Sequence, residues 1–247
     1  MTNSYQGFAP LYDALTFDVD YENIASFIQS LLKKHGLESG LVLDLACGTG
    51  TLTLALASKG YEMLGADLSE DMLSVARQKP GAENILFLNQ PMDDFELYGT
   101  VDAIVCVLDS INYLTEPEKL HKTFHLCANY LNPGGVLIFD VNSEYKFSSV
   151  LGSQTYAYET DEIFYNWENE YDPKSRLCNL YLTFFCLEDS GLYRRVDEVH
   201  IQRAYSDEEL KNALKNAGLT VVATYDGYTS DCPHKQSQRI VYEVKKL

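Results

Sequence analysis

The stretch LVLDLACGTGTLTLALASKG, Leu41 to Gly60, changes its periodicity in the middle. Leu41 to Leu45 is a short, mostly apolar run that leads into glycines, the pattern of a buried strand. Beyond Gly48 and Gly50, Leu52, Ala55 and Leu56 recur at helical spacing. The residues between form a strand-to-helix turn. Glycine suits such a turn because it takes positive φ freely and presents no Cβ to whatever approaches. A second strand, YEMLGADL, then ends at Asp67, nineteen positions after Gly48.

Outward from this unit the chain keeps alternating strand and helix. Asp20 is placed to cap a helix whose apolar face is Ile24, Phe27, Ile28, Leu31 and Leu32, and Gly36 ends it. Ser69 caps the helix after Asp67, with Glu70 and Asp71 in the first turn, where the helix dipole favours anions. NILFL (84–88) and VDAIVCVL (101–108) read as the third and fourth strands. Thr115 to Glu118 reads as a capping box, opening a helix with Leu120, Phe124, Cys127 and Leu131 on one face. NPGG (132–135) stops that helix and VLIFDV (136–141) is the fifth strand. Ser206 to Glu209 is a second capping box, Gly218 closes its helix, and two strands near 219–226 and 238–245 finish the chain.

Strands alternating with helices predict an α/β fold: a doubly wound, mostly parallel seven-stranded sheet, Rossmann-like, covered on both faces. Residues 154–204 break the rhythm. They alternate with period two, are rich in Tyr and Phe, and are punctuated by DPKS (172–175) and EDSG (188–191). This predicts three antiparallel strands inserted after the fifth core strand, as a substrate lid or a dimer surface. The core is then 1–153 and 205–247, with a helical lid over residues 1–36.

Of the 247 residues, 46% are hydrophobic and 22% charged, ordinary globular composition. No apolar run approaches the roughly 20 residues that cross a bilayer, and the N-terminal residues lack the pattern of a signal peptide. The six cysteines form no CxxC pair, so they read as packed, reduced thiols in a cytoplasmic protein, and no metal is expected. The net charge of −17, with 19 scattered Lys and Arg, opposes a nucleic acid or an anionic membrane as partner and favours a small molecule.

In a doubly wound sheet, ligands bind beyond the carboxyl ends of the strands, where Gly48 and Gly50 fall. A carboxylate at Asp67 can accept both hydroxyl hydrogens of a ribose. The dinucleotide fingerprint has a third glycine, and Thr53 stands in its place. Asp44, at the strand's end, disfavours a pyrophosphate and suits a cation. S-adenosylmethionine carries a sulfonium and an ammonium and no phosphate. The plain alternative is a tight turn with Asp67 doing no more than capping the next helix. The pairing of turn and acid, in register, favours the ligand.

These motifs resemble those of class I S-adenosylmethionine-dependent methyltransferases. LDLACGTG is similar to that family's first motif, and GADLSEDML to its second-strand acid motif. VDAIVCVLDSINYL resembles its fourth strand and the substrate-facing loop, and LNPGGVLIFDV the segment leading into the fifth. YQGFAPLYDALTFDVDY and HIQRAYSDEEL resemble a bacterial small-molecule subgroup. The resemblance covers nearly all of the chain outside 154–204. It implies S-adenosylmethionine as cofactor, with Asp44, Ala46 and Gly48 along its methionine part and Gly50 in the turn. It also implies Asp67 on the ribose, Leu68 and Met72 near the adenine, and the Met92 backbone N–H on the adenine. Where the family usually places an acid before that N–H, this chain has Pro91, so Asp93 or water must substitute.

Methyl transfer from a sulfonium asks mainly for near-attack geometry in a dry site, and aromatic faces favour the sulfonium. Tyr5, Tyr12 and Tyr21 are candidates for that enclosure, with Leu108 at the end of the fourth strand. Asp109, Ser110, Asn112 and Tyr113 follow that strand, on the substrate rim; Asp109 and Tyr113 are the catalytic candidates there. Period two puts His200 and Gln202 on one face, and Arg203 and Tyr205 on the other. His200 is the general-base candidate by type. Arg203 is a candidate either for a substrate carboxylate or simply for pairing with an acid of this acidic chain, and Trp167 reads as sheet packing. The competing readings are a nicotinamide-dependent oxidoreductase on a similar sheet, a non-catalytic S-adenosylmethionine-binding module, and a methyltransferase acting on tRNA or protein. A homodimer through the inserted strands fits either reading of the insertion.

Overall fold

A computed structural model describes residues 12, 13, 16, 18–188 and 190–247. Tyr5, and with it most of the segment before Asp20, lies outside the described residues. Helix α1 (Tyr21–Lys34) precedes β1 (Leu41–Leu45), α2 (Thr51–Ser58), β2 (Glu62–Asp67), α3 (Glu70–Gln78), β3 (Leu86–Asn89), β4 (Val101–Cys106), α4 (Pro117–Tyr130) and β5 (Leu131–Asn142). A second sheet follows, made of β6 (Thr155–Glu159), β7 (Ile163–Asp172), β8 (Leu177–Leu187) and β9 (Tyr193–Arg203). Helix α5 (Asp207–Asn216), β10 (Leu219–Asp226) and β11 (Arg239–Lys246) complete the chain.

The main sheet has seven strands in the order β10-β11-β5-β4-β1-β2-β3. β1 to β5 run parallel, and β11 runs antiparallel between β5 and β10. Alternate residues of each strand feed two cores. Val42, Ala103, Val105, Val136 and Ile138 pack under α1 and α2. Leu43, Leu45, Ile104, Cys106, Leu137 and Phe139 pack under α4 and α5. The helices begin as their sequences dictate: Asp20 accepts the Asn23 N–H, Ser69 accepts the Met72 N–H, and Ser206 and Glu209 form the reciprocal capping box.

Three local expectations are corrected. The inserted sheet has four antiparallel strands, not three, in the order β6-β7-β8-β9. The extra turn is Thr160–Glu162, where Thr160 closes the reversal with its own backbone and hydroxyl on Ile163 and no Gly or Pro marks it. The second correction is the capping box at Thr115. Glu116 takes the N-cap instead, with Pro117 in the first turn and no side-chain cap bond, because proline's fixed φ suits that first helical position. The third is the stop at NPGG: α4 ends at Tyr130 and Leu131 already belongs to β5.

One packing detail fixes the turn after β1. Gly65 on β2 lies between Asp44 on β1 and Phe87 on β3. A Cβ there would sit 2.6 Å from Phe87 Cδ1 and 2.9 Å from Cys47 Sγ. The bare glycine lets the Phe87 ring pack beneath the turn, against Gly65 and Gly50. Gly65→Ala is therefore expected to cost about 1–3 kcal/mol through overpacking, read as a lowered urea midpoint at unchanged m-value.

Candidate active site

The turn after β1 is built from backbone in the left-handed region: Ala46 at φ 62°, Gly48 at 53° and Gly50 at 72°. The two glycines are there for different reasons. A Cβ on Gly48 would meet nothing within 4 Å, so this residue faces open space where a ligand can approach the backbone. A Cβ on Gly50 would press on Ala76 at 3.1 Å and on the Phe87 ring at 3.2 Å, so this residue lets α2 pack on its neighbours. The Gly48 N–H donates to Asp67 Oδ2 at 2.8 Å, and the Ser69 N–H donates to Oδ1 at 2.8 Å. A carboxylate offers about four acceptor sites, so Asp67 keeps capacity for a ribose hydroxyl beyond its backbone donors.

Asp44 is 2% exposed. Its described partner is the Thr53 hydroxyl, which donates to Oδ2 at 2.6 Å. Thr53, standing where a dinucleotide fold has its third glycine, thus secures the carboxylate. Burial pushes the Asp44 carboxyl up to about 7, and the charge of Asp67 adds to the rise. Burial also raises Asp67, against the three backbone N–H groups that favour its charged form. Two carboxylates without a cationic partner among the described residues fit a positively charged ligand and repel a diphosphate.

Other cofactor candidates surround this corner. Tyr12 and Tyr21 hydrogen-bond each other through their hydroxyls, and burial raises both pKa values. Tyr21 lies near enough to Asp44 to feel its charge, and Tyr12 lies near Tyr113 and Asp109. Asp13 pins this segment to the turn: it accepts the Thr49 hydroxyl at 2.6 Å and meets Lys79 Nζ at 2.6 Å. Tyr12 joins Met72 and Val75 of α3 to Phe184 and Cys186 of the second sheet, which therefore roofs the corner. Leu68 is 73% exposed beside Asp67. Met92 packs with its sulfur 3.6 Å from Cys106 Sγ, and Asp93 is half-buried in the same turn after β3.

The substrate-rim candidates lie beyond β4 and β5. Leu108 and Asp109 are both left-handed, at φ 56° and 55°. This conformation is strained for residues with a Cβ and persists only where the surroundings hold it. Asp140, at the end of β5 and with a fully buried side chain, does the holding. It accepts the Leu108 N–H at 2.8 Å, the Asp109 N–H at 2.7 Å, Arg239 Nη1 at 2.5 Å and the Tyr228 hydroxyl. Arg239 Nη2 donates to Asp109 Oδ1 at 2.6 Å, and Gln202 Nε2 donates to Asp109 Oδ2 at 2.7 Å. Burial opposes the Arg239 charge, but Asp140 and Asp109 outweigh it and hold the guanidinium above its usual range. Lys146 stands close by, bonded to Asn142 Oδ1 at 2.9 Å, and burial lowers its pKa.

The structure brings the three catalytic candidates together. Tyr113 Oη lies 3.3 Å from His200 Nδ1, with Asp109 close enough to act on the imidazole. His200 is 3% exposed, and burial pulls it down to about 4, against the opposing charge of Asp109. Arg203 is not with them. It pairs with Glu209 at 3.4 Å and lies over the Tyr205 ring. Trp167 packs against Tyr156, their ring centroids 5.7 Å apart. Sequence reasoning missed Asp140, Arg239, Tyr228 and Lys146. The signal was present for the first two, since an acid inside VLIFDV and an arginine opening a final apolar strand each need a counter-charge. Only the strand order places them side by side.

Two titrations follow. The His200 ring is expected to titrate by NMR near pH 4, with the fold losing stability as pH falls from 6.5 toward 4; a midpoint near 6.5 overturns the burial argument. Asp44 has the opposite sign. Its raised pKa stabilises the ligand-free fold below about pH 4, a contribution lost as pH rises through about 7. A cationic nucleoside needs Asp44 ionised, so S-adenosylhomocysteine, which keeps the ammonium, is expected to bind about tenfold more tightly at pH 8 than at pH 6. Calorimetry with Asp44→Asn should flatten that slope.

The geometry agrees with what the chain resembles. Residues 42–135 match the sequence family described as a methyltransferase domain. "Putative methyltransferase YqeM" of Bacillus subtilis is 37% identical over 244 residues, covering 98% of this chain and 97% of that protein. The crystal structure of an S-adenosylmethionine-dependent methyltransferase from Clostridium acetobutylicum superposes with a TM-score of 0.88 at 38% identity, covering 98% of both chains. A dTDP-3-amino-3,4,6-trideoxy-alpha-D-glucopyranose N,N-dimethyltransferase of Streptomyces venezuelae is 37% identical over 123 residues, 49% of this chain and 50% of that protein. With its sheet order, its glycine turn and its paired acids, the chain belongs to the class I S-adenosylmethionine-dependent methyltransferases.

Proposed function

We propose that this methyltransferase acts on a small-molecule acceptor held between the glycine turn and the second sheet. The observation that carries the reading is enclosure: Tyr12 and the second sheet pack over α3, and His200 and Gln202 on β9 contact Tyr113 and Asp109. A site roofed by a second sheet admits a small acceptor more readily than a folded macromolecule. The net charge of −17 further opposes RNA, and the amino-sugar dimethyltransferase named above, similar over half of the chain, supports an acceptor of that size.

In this reading Asp44, Ala46 and Gly48 line the methionine part, Gly50 shapes the turn beside it, and Asp67 holds the ribose. Leu68, Met72, Met92 and Asp93 line the adenine side, and Tyr12, Tyr21 and Leu108 lie along the sulfonium. S-adenosylmethionine supplies a methyl group on sulfur that leaves by in-line displacement as a neutral thioether. The chain's own residues have little charge to stabilise. A neutral His200 with a pKa near 4 is a poor base, and both Asp109 oxygens are already engaged. Tyr113, His200 and Asp109 therefore orient the acceptor, and water takes any proton it sheds. Five of the six cysteines are buried as free thiols, which suits a reducing, cytoplasmic setting. A second copy is the occupant proposed for the outer face of the second sheet, where Tyr181, Val199 and Ile201 are exposed.

The test measures S-adenosylhomocysteine release over a panel of small amines, alcohols, thiols and carbon acids, beside bulk tRNA and protein. Turnover is expected with a small acceptor only, and methylation confined to tRNA or protein overturns the reading. Asp67→Ala is expected to abolish the rise in melting temperature that S-adenosylhomocysteine gives the wild type.

A further inference from the structure

We propose that Gln202 binds the methyl acceptor directly, through its side-chain carbonyl oxygen, and so selects an acceptor whose reacting group carries an N–H or O–H. The inference rests on the methyl-transfer reading of this site.

A chain of hydrogen bonds, each with only one workable direction, fixes the amide. Asp140 anchors Arg239 at 2.5 Å, and Arg239 holds Asp109 Oδ1 at 2.6 Å. The other oxygen of Asp109 lies 2.7 Å from Gln202 Nε2. An ionised carboxylate only accepts, so the amide must present its NH₂ to Asp109 and its oxygen away from it. A flipped amide would set oxygen against oxygen. Gln202 is 1% exposed, and its Oε1 is buried with no hydrogen-bond partner among the described residues. Buried amide oxygens are nearly always paired, and one left unpaired is costly.

The place of this oxygen gives it a use. Gln202 and His200 are alternate residues on one face of β9, the face that meets Tyr113 and Asp109. The orphan acceptor therefore lies on the face where the proposed function places the methyl acceptor. A donor N–H or O–H bonded to Oε1 turns the lone pair of the same atom toward the methyl. That lone pair forms the new bond to carbon as the carbon–sulfur bond breaks, its electron pair staying on sulfur. The donated proton then leaves the methylated product to water. A thiol is a weak donor and a carbon acid no donor to speak of, so neither satisfies the oxygen. Sites built around a buried polar group discriminate strongly against ligands that leave it unpaired.

The acceptor panel tests this with three readouts. The wild type is expected to turn over an amine or an alcohol and to spare thiols and carbon acids. Gln202→Met is expected to raise KM for that acceptor at least tenfold while the Kd for S-adenosylhomocysteine stays within twofold of wild type. An O- or N-alkylated analogue of the acceptor, lacking the donor hydrogen, is expected to inhibit wild type at least tenfold more weakly than a non-reactive analogue that keeps it; this readout needs no variant to fold. Turnover confined to thiols or carbon acids, an unchanged KM in Gln202→Met, equal inhibition by the two analogues, or no turnover with any class by a protein that binds S-adenosylhomocysteine would each overturn the proposal. Failure to bind S-adenosylhomocysteine at all would instead remove the methyl-transfer reading beneath it.

Discussion

The carboxyl edge of the main sheet carries four carboxylates in or near the dry interior, and the fold treats them as two pairs. Asp109 and Asp140 are neutralised from within. Arg239 lies between them, delivered by the one central strand that runs against its neighbours. Asp44 and Asp67 receive hydroxyl and amide donors but no cation among the described residues. Burying charge is expensive unless it is paired. One pair therefore buttresses the protein, and the other waits for charge from outside. In the proposed reading S-adenosylmethionine would bring that charge to Asp44 and ribose hydroxyls to Asp67, so binding would complete an arrangement that folding leaves open.

The antiparallel β11 is what makes the internal pair work. A parallel strand beside β5 would place its first residue at the opposite edge. Because β11 reverses, Arg239 enters opposite Asn142, at the same edge as the end of β4. From there it reaches both Asp140 and the strained pair Leu108–Asp109. The strain is held by four hydrogen bonds converging on one buried carboxylate, and that loop leads straight into Tyr113. The loop that carries Asp109 and Tyr113 is thus positioned by the terminal strand of the chain, far in sequence from the glycine turn.

This separation explains what could be read in advance. The candidate cofactor corner is local: β1, turn, helix, β2 and Asp67 lie within 27 consecutive residues, and their spacing alone describes it. The strand–helix alternation likewise fixes the layered sheet, because periodicity and caps are short-range signals. Asp109, Tyr113 and His200 could be named by type, but the distance between Tyr113 and His200 depends on how β9 docks against the loop after β4. The anchoring role of Asp140 and Arg239 exists only once β5 and β11 are neighbours. The turn at Thr160 escaped because a threonine closes it through its own hydroxyl, without the glycine or proline that marks most reversals.

The same physics limits what the acceptor side has to do. A neutral leaving group asks for no oxyanion hole, and a neutral acceptor can lose its proton after transfer instead of before. A site meeting those demands needs fixed directions more than titratable groups. The side chains here have that character: an imidazole kept neutral by burial, a carboxylate with both oxygens engaged, and an amide whose orientation that carboxylate dictates. Charge is spent on rigidity at Arg239, and in the proposed reading that rigidity would hold the acceptor's lone pair on the line through the methyl carbon, where much of the barrier to displacement is met by orientation alone.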